Sequence, residues 1–493
     1  MTQLVNILTF CFLTLPLPAA FAATSGGKPL LQGKVFPPVK RSLQRSALFV
    51  RVRDGKVIWE KDSARLLAPA SVSKLLTAGA VLDRFGPVFH FTTRIFHDGR
   101  IRQGVLTGNL YVVGDGDPFL VSEKLWQMAA DIRLMGIRSI KGQLIVDHSL
   151  FDASHRDASR RSGQYSSRNA YDAPVTALAV NFNTYAVAMA PGGKTGAAGL
   201  VGLDPYNLNG VLVENHLRTA RAGRGSSISV TRRSGKNKRE AIHVKGSIAS
   251  NVPLKKVYRS VGNPATAAGE QIRAFLHKEG VRISGTIRTG HKPDKATPLY
   301  EIKGYPISRI ISGLNKYSNN YIADSLVKRL GARDGRPGSL AAGLGEVNRF
   351  LQTRARLPAG WVLANGSGLA PENRLSARQV VRLLLYMESR LDIGPEFMTS
   401  LAIAGSDGTM KDRFQGAQTR AMQGLVRAKT GTLTEPLSVA GLAGYFRHHH
   451  HGLIAFAIID NGIKGRRQPS VLSLRQAQDQ AIRNLWNKLG DKT

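Results

Sequence analysis

The chain has 493 residues, enough for two to four domains of ordinary size and a core that can hold an enzyme cleft. Hydrophobic residues make up 42% and charged residues 21%, ordinary globular usage that argues against disordered, collagen-like and membrane-embedded classes. Lys and Arg number 69 against 33 Asp and Glu, a formal net charge of +36 that favours an anionic partner without identifying one.

Residues 1–27 contain no Asp, Glu, Lys or Arg, and the apolar run from Leu4 to Phe21 ends in the small-x-small pattern Ala20-Phe21-Ala22. This predicts a secretory signal peptide over 1–22, with Pro16 and Pro18 unsuited to an unbroken membrane helix. The one cysteine, Cys11, lies inside it, so the mature chain has no disulfide and depends on core burial. Export disfavours nucleic acid as a partner, and no zinc-ligand spacing or aromatic-rich RNA-binding pattern is present.

The mature body opens with a predicted hairpin, Ala47–Arg53 and Lys56–Glu60 around Asp54-Gly55. After Pro69 the spacing of Leu75, Leu76, Ala78 and Val81 predicts a helix that starts beside Ser71. From about Thr92 to Ser260 short β-like runs dominate (104–113, 142–146, 185–190, 210–213), with no prevailing helical period, and the basic, Gly-rich stretch 220–238 reads as an exposed loop. Helical patterns return at 264–280, 320–330 and 376–391, the last capped by Ser376. Apolar strands at 437–446 and 453–460 flank Arg447 to Gly452, whose four histidines read as an exposed turn, and a final helix over 470–489 is expected to pack on them.

Three short motifs carry chemistry. In Ser71-Val72-Ser73-Lys74 a helix sets a hydroxyl and an amine three residues apart on one face, so the lysine can take the proton that makes serine a nucleophile. Ser318-Asn319-Asn320, before a helical run, can present a hydroxyl and an amide to a cleft. Lys429-Thr430-Gly431-Thr432 precedes an apolar strand; its lysine can bind a carboxylate and its glycine admits a substrate backbone. Each is common alone, but together and in this order they match the signature of penicillin-binding proteins and serine β-lactamases. A second Lys194-Thr195-Gly196 is set aside, because it precedes Ser318 and has no apolar strand directly after it.

The sequence resembles the low-molecular-mass penicillin-binding proteins that act as D-Ala-D-Ala carboxypeptidases and endopeptidases and carry a large insertion after the nucleophile helix. Leu67-Ala68-Pro69-Ala70, Gly108-Asn109-Leu110, Gly114-Asp115-Gly116-Asp117-Pro118 and Gly366-Ser367-Gly368-Leu369 extend the likeness over nearly the whole mature chain. The resemblance implies a mixed α/β, transpeptidase-like domain with an antiparallel sheet, split over 28–90 and 261–493, with a mainly β insertion at 91–260. It implies Ser71 as nucleophile, Lys74 as base, Ser318 as proton relay, Asn320 as orienting amide, and Lys429 and Thr430 as carboxylate binders. Gly431 admits the substrate, and the backbone N–H groups of Ser71 and Thr432 form an oxyanion hole. No metal or organic cofactor enters that scheme. The implied ligands are peptidoglycan peptides and β-lactams, in an extracytoplasmic compartment; an acidic wall or membrane surface is the expected partner of the positive charge, an attraction that rising salt would screen.

Several positions depart from the family pattern. Ala370-Pro371 stand where relatives that read the substrate side chain carry an arginine, and Ser166, Ser167 and Arg168 where they carry an aspartate, with Arg374 and Asp172 as unaligned substitutes; Asn365 stands where an aspartate is common. A serine β-lactamase shares the motifs but needs a deacylating glutamate, for which Glu388 is the nearest candidate. A noncatalytic wall-binding scaffold is the third reading.

Overall fold

The computed structural model describes residues 28–39, 42–159, 168–234, 239–333 and 335–490. The signal peptide with Cys11 lies outside them, as does part of the basic stretch, and no helix among the described residues is long and apolar enough to cross a membrane.

A six-stranded antiparallel sheet organises the molecule, in the order Ala402–Ile403, Val426–Leu433, Val439–His448, Gly452–Gly462, Leu43–Arg51, Val57–Lys61. The hairpin expected around Asp54-Gly55 forms its far edge, with Gly55 at φ 69° making the turn. Side chains alternate between two cores. Leu48, Val50, Tyr445, Ala455 and Ile459 face a helical layer, while Ala47, Phe49, Phe446, Phe456 and Ile458 face the C-terminal helix. Both faces are covered, so these strands are apolar in continuous runs rather than alternately.

The helical layer contains Lys74–Phe85, Ile307–Lys316, Asn320–Gly331 and Ala377–Glu388. Ser376 caps the last of these with a full capping box, its hydroxyl accepting from Gln379 N and the Gln379 side chain accepting from Ser376 N. On the opposite face lies Val471–Gly490, whose Gln478 Nε2 donates to Ala440 O at 3.0 Å and to Asp460 Oδ2 at 3.1 Å.

Among the described residues the inserted region has four small sheets, and their pairing carries it past residue 260. Thr297–Pro306 pairs antiparallel with His90–His97, and Ile287–Thr289 pairs parallel with Leu144–Asp147. The return to the helical layer therefore comes at Ile307, not 261. Strands of two or three residues such as Arg282–Ile283 and Ile287–Thr289 carry too little pattern to register in sequence, and their partners are well over a hundred residues away.

Two further expectations are corrected. The helix Ser122–Leu134 lies in the stretch read as β-rich; Leu125, Met128, Ala129 and Ile132 do mark a buried stripe, but exposed Trp126 and Leu134 blur it. Within the presumed loop 220–238, Ser227–Ser234 is a strand paired with Glu240–Ala249, its Ile228 and Val230 spaced by two among basic residues that mask the alternation.

One buried ion pair ties the C-terminal helix to the loop that leads into the Lys429 strand. Arg413 Nη2 and Nε donate to Asp479 Oδ1 at 2.5 and 3.0 Å, and Phe414 N donates to Asp479 Oδ2 at 3.1 Å. Replacing Asp479 by Ala strands a buried guanidinium and is expected to cost about 3–5 kcal/mol. Urea unfolding of the variant checks this, and a midpoint equal to that of the parent chain would refute it.

Candidate active site

The turn that carries Ser71 is seated on the sheet by a missing pair of side chains. Gly431 and Gly441 are direct cross-strand partners. A Cβ on Gly431 would lie 2.6 Å from Pro69 O and 3.2 Å from Ser71 N; one on Gly441 would lie 2.7 Å from Val72 Cγ2. Only this glycine pair lets the 3-10 turn Ala70–Ser73 rest on the strands, and it sets the Ser71 amide beside the Gly431-Thr432 backbone. Ala70 itself is left-handed at φ 47°, a strained conformation immediately before Ser71.

Ser71 begins the polar cluster. Lys74 Nζ donates to Ser71 Oγ at 2.9 Å, to Asn320 Oδ1 at 2.7 Å and, over a short contact, to Ser367 O. Lys74 is fully buried, so these oxygens replace the water it has lost. Asn320 is held in turn, its Nδ2 donating to Tyr171 O at 2.9 Å. Ser367 is placed by Asp324, whose Oδ1 accepts from Ser367 N at 3.1 Å.

Across the cleft, Lys429 Nζ donates to Ser318 Oγ at 2.8 Å and to Thr430 O at 2.6 Å. Ser318 sits in the left-handed region, φ 56°, which turns it out of the chain path just before the helix capped by Asn319. Burial without a facing carboxylate lowers the Lys429 ammonium to a pKa of about 7. Thr430 Oγ1 donates to Thr409 Oγ1 at 2.7 Å, and Arg475 Nη2 donates to Thr432 Oγ1 at 2.7 Å. Ala402–Ile403 covers the outer edge of this strand only at Ala428 and Arg427, so from Lys429 to Leu433 no strand pairs with that edge among the described residues.

All three motifs thus converge, while Lys194-Thr195-Gly196 lies in the inserted region with Gly196 N bonded to Thr219 O. Sequence reasoning missed Thr409, Arg475 and the carbonyl oxygens of Tyr171 and Ser367, because a carbonyl carries no residue signature. Of the two substitutes for the side-chain pocket, Arg374 Nη1 donates to Pro371 O at 2.5 Å and to Asn373 O at 2.9 Å, and Asp172 is buried. Asn365 is used as an amide, its Nδ2 donating to Asp157 Oδ2 at 2.6 Å and its Oδ1 accepting from Gly368 N at 2.9 Å; a carboxylate would there oppose Asp157. Glu388 is exposed at the end of its helix, and none of the hydrogen bonds around Ser71 and Lys74 reaches it.

A serine and a buried lysine at the start of a helix, laid against a Lys-Thr-Gly strand of a two-faced antiparallel sheet, define the penicillin-binding class of serine peptidases. Residues 40–484 match the D-Ala-D-Ala carboxypeptidase 3 (S13) family. The chain is 30% identical to a D-alanyl-D-alanine carboxypeptidase of Actinomadura sp. (strain R39), over 89% of this chain and 81% of that protein. Its structure is similar to that of penicillin binding protein 4 from Haemophilus influenzae, with TM-score 0.73 and 25% identity over 92% of this chain and 97% of the other. The predatory endopeptidase Bd0816 of Bdellovibrio bacteriovorus shares the fold, with TM-score 0.52 and 17% identity over 90% of this chain and 93% of that one. The chain belongs to the S13 family of D-Ala-D-Ala carboxypeptidases.

The glycine seat is testable. Gly431→Ala overpacks the contact with Pro69 O and is expected to destabilise by about 1–3 kcal/mol. Thermal unfolding reads the loss, and an unchanged transition would show that the turn has room to lift.

Proposed function

We propose that the protein is an extracytoplasmic serine D-Ala-D-Ala peptidase that forms an acyl-enzyme on Ser71 with peptidoglycan stem peptides or their cross-links. The observation that carries this reading is the hydrogen bonding of Lys74. Lys74 Nζ stands 2.9 Å from Ser71 Oγ and is held there by its bonds to Asn320 Oδ1 and Ser367 O, within reach of the Ser71 proton once the amine is neutral. Lys74 is thereby oriented as a base before substrate arrives.

A substrate peptide adds along the open edge of the Lys429 strand by backbone hydrogen bonding. Its terminal carboxylate meets Lys429 and Thr430. Ser71 Oγ attacks the carbonyl carbon of the penultimate D-alanine as its proton moves to Lys74 Nζ. The resulting oxyanion lies between the N–H groups of Ser71 and Thr432. Collapse breaks the C–N bond, and the departing amine takes a proton through Ser318, which Lys429 holds. Water then attacks the ester, Lys74 again accepting a proton, and Ser71 is regenerated. In a β-lactam the corresponding amine stays tethered to the acyl group, which favours a persistent adduct. The Haemophilus relative has been crystallised with a β-lactam.

Intact-mass measurement tests the nucleophile: one penicillin should add per chain, and Ser71→Ala should remove the adduct without altering the fold. A folded parent chain that takes up no penicillin would leave the scaffold reading.

Lys429 gives a pH signature. With its free-enzyme pKa at about 7, the cation that attracts a carboxylate is present below that pH and is lost above it. The kcat/KM for a peptide ending in D-Ala-D-Ala carboxylate should therefore fall about tenfold per pH unit on that limb, whereas its C-terminal amide should lack the limb. Identical profiles for acid and amide would rule Lys429 out as the carboxylate site.

A further inference from the structure

The inserted region carries a cleft of about 510 Å³ that the reaction at Ser71 does not use. One wall is the first turns of the helix Ser122–Leu134, where Glu123 and Trp126, three residues apart, share a face. The other wall is the three-stranded sheet of Leu200–Asp204, Thr184–Ala190 and Lys255–Ser260. Its register aligns Asp204, Ala186 and Tyr258 in one transverse row, so they share a face of the sheet. The small Ala186 at the centre leaves a trough between a carboxylate and a tyrosine ring. Trp126 is 56% exposed and Tyr258 50%, and neither stacks on another aromatic ring among the described residues.

The floor is built with backbone strain. Asn181, Phe182 and Asn183 are all left-handed, at φ 50°, 61° and 52°, a conformation that side chains other than glycine adopt at a cost. Asn181 holds it, donating from Nδ2 to Ser122 Oγ and Gln271 Oε1, both at 2.9 Å, and accepting from Ser122 N at 3.1 Å. Strain maintained under a concave, half-aromatic surface is a mark of a binding site rather than of a packing accident.

The chemistry of the lining selects the ligand. Among the described residues no Lys or Arg lines the cleft in a chain of net charge +36, which makes it a poor site for polyanions. Lys256, paired with Asp204 at 2.9 Å, and Lys278, 5.3 Å from the Tyr206 ring centroid, are engaged with the cleft's own side chains. Exposed aromatic faces accept the C–H face of a pyranose ring, while carboxylates and hydroxyls bind its hydroxyl and acetamido groups. We propose that this cleft binds N-acetylated amino sugars of the glycan strand to which the stem peptide is attached, an inference that rests on the peptidoglycan reading above.

Geometry links the two sites. Tyr258 precedes Arg259, whose backbone bridges to Asn169, two residues before Tyr171, the residue whose carbonyl accepts from Asn320 Nδ2. The strand that carries Tyr258 is thus joined by backbone pairing to the segment that holds Asn320. The Phe182 ring in the floor also lies 6.3 Å from that of Tyr321, the residue after Asn320.

The test uses the full chain and the double variant Trp126→Ala/Tyr258→Ala, whose exposed positions spare the core, with Ala186→Trp as a second variant that fills the trough. Titration with an N-acetylglucosamine tetramer should show binding by the parent chain, weakened about tenfold or more in both variants. On a glycan-borne pentapeptide KM should rise about tenfold with kcat unchanged, while the free pentapeptide is cleaved as by the parent. No tetramer binding by the parent, or equal binding by the variants, overturns the proposal; a variant defect on the free pentapeptide alone assigns the cleft to peptide and overturns it too. Penicillin acylation of Ser71 is read separately on the same samples, so a failed glycan site is distinguishable from a failed nucleophile.

Discussion

The structure depends on how a fully buried lysine is kept in place. Lys74 has no exposed surface, and an isolated ammonium there would carry a desolvation penalty of several kcal/mol. It is tolerated because Ser71, Asn320 and the carbonyl of Ser367 surround its nitrogen. These partners come from three stretches of chain nearly three hundred residues apart at the extremes, so the lysine cannot be satisfied until the helical layer is assembled. The same bonds that offset burial hold the amine against Ser71, so folding and placement of this lysine are one event.

Around that point the fold supplies a rigid seat and an open side. The sheet is buried on both faces, which fixes the strand carrying Lys429, and the Gly431/Gly441 pair brings the Ser71 turn against it. Its outer edge is covered by a two-residue strand at one end and unpaired beyond it, the feature a peptide needs in order to add as another strand. Lys429, cut off from water and facing no carboxylate, stays poised until a ligand brings one.

The inserted region is part of this centre rather than an appendage. Tyr171 O takes the amide of Asn320, and Asp157 engages the Asn365 loop that positions Gly368. The Gly114–Pro118 motif clamps the same helix, Arg329 donating from Nε to Asp115 O and from Nη2 to Asp115 Oδ1, both at 3.0 Å. Both walls of the aromatic cleft belong to this insertion, which also buttresses the helix that carries Asn320.

The sequence by itself determined the motif residues proposed to react and the elements that bear them. Ser71, Lys74, Ser318, Asn320 and Lys429 to Thr432 stand in motifs whose order is informative, and the flanking helices and strands follow from local period, capping and turn chemistry, as at Ser376 and Asp54-Gly55. Tertiary structure alone decided what those groups touch. The carbonyls of Ser367 and Tyr171 are backbone atoms any residue would supply, and the continuation of the insertion to Pro306 rests on pairing between His90–His97 and Thr297–Pro306, two hundred residues apart. The aromatic cleft likewise exists only because strand register puts Asp204, Ala186 and Tyr258 in one row opposite Trp126. Local sequence encodes the conformation and chemistry of its own residues; which distant backbone replaces a buried group's lost water is settled only when the chain closes on itself.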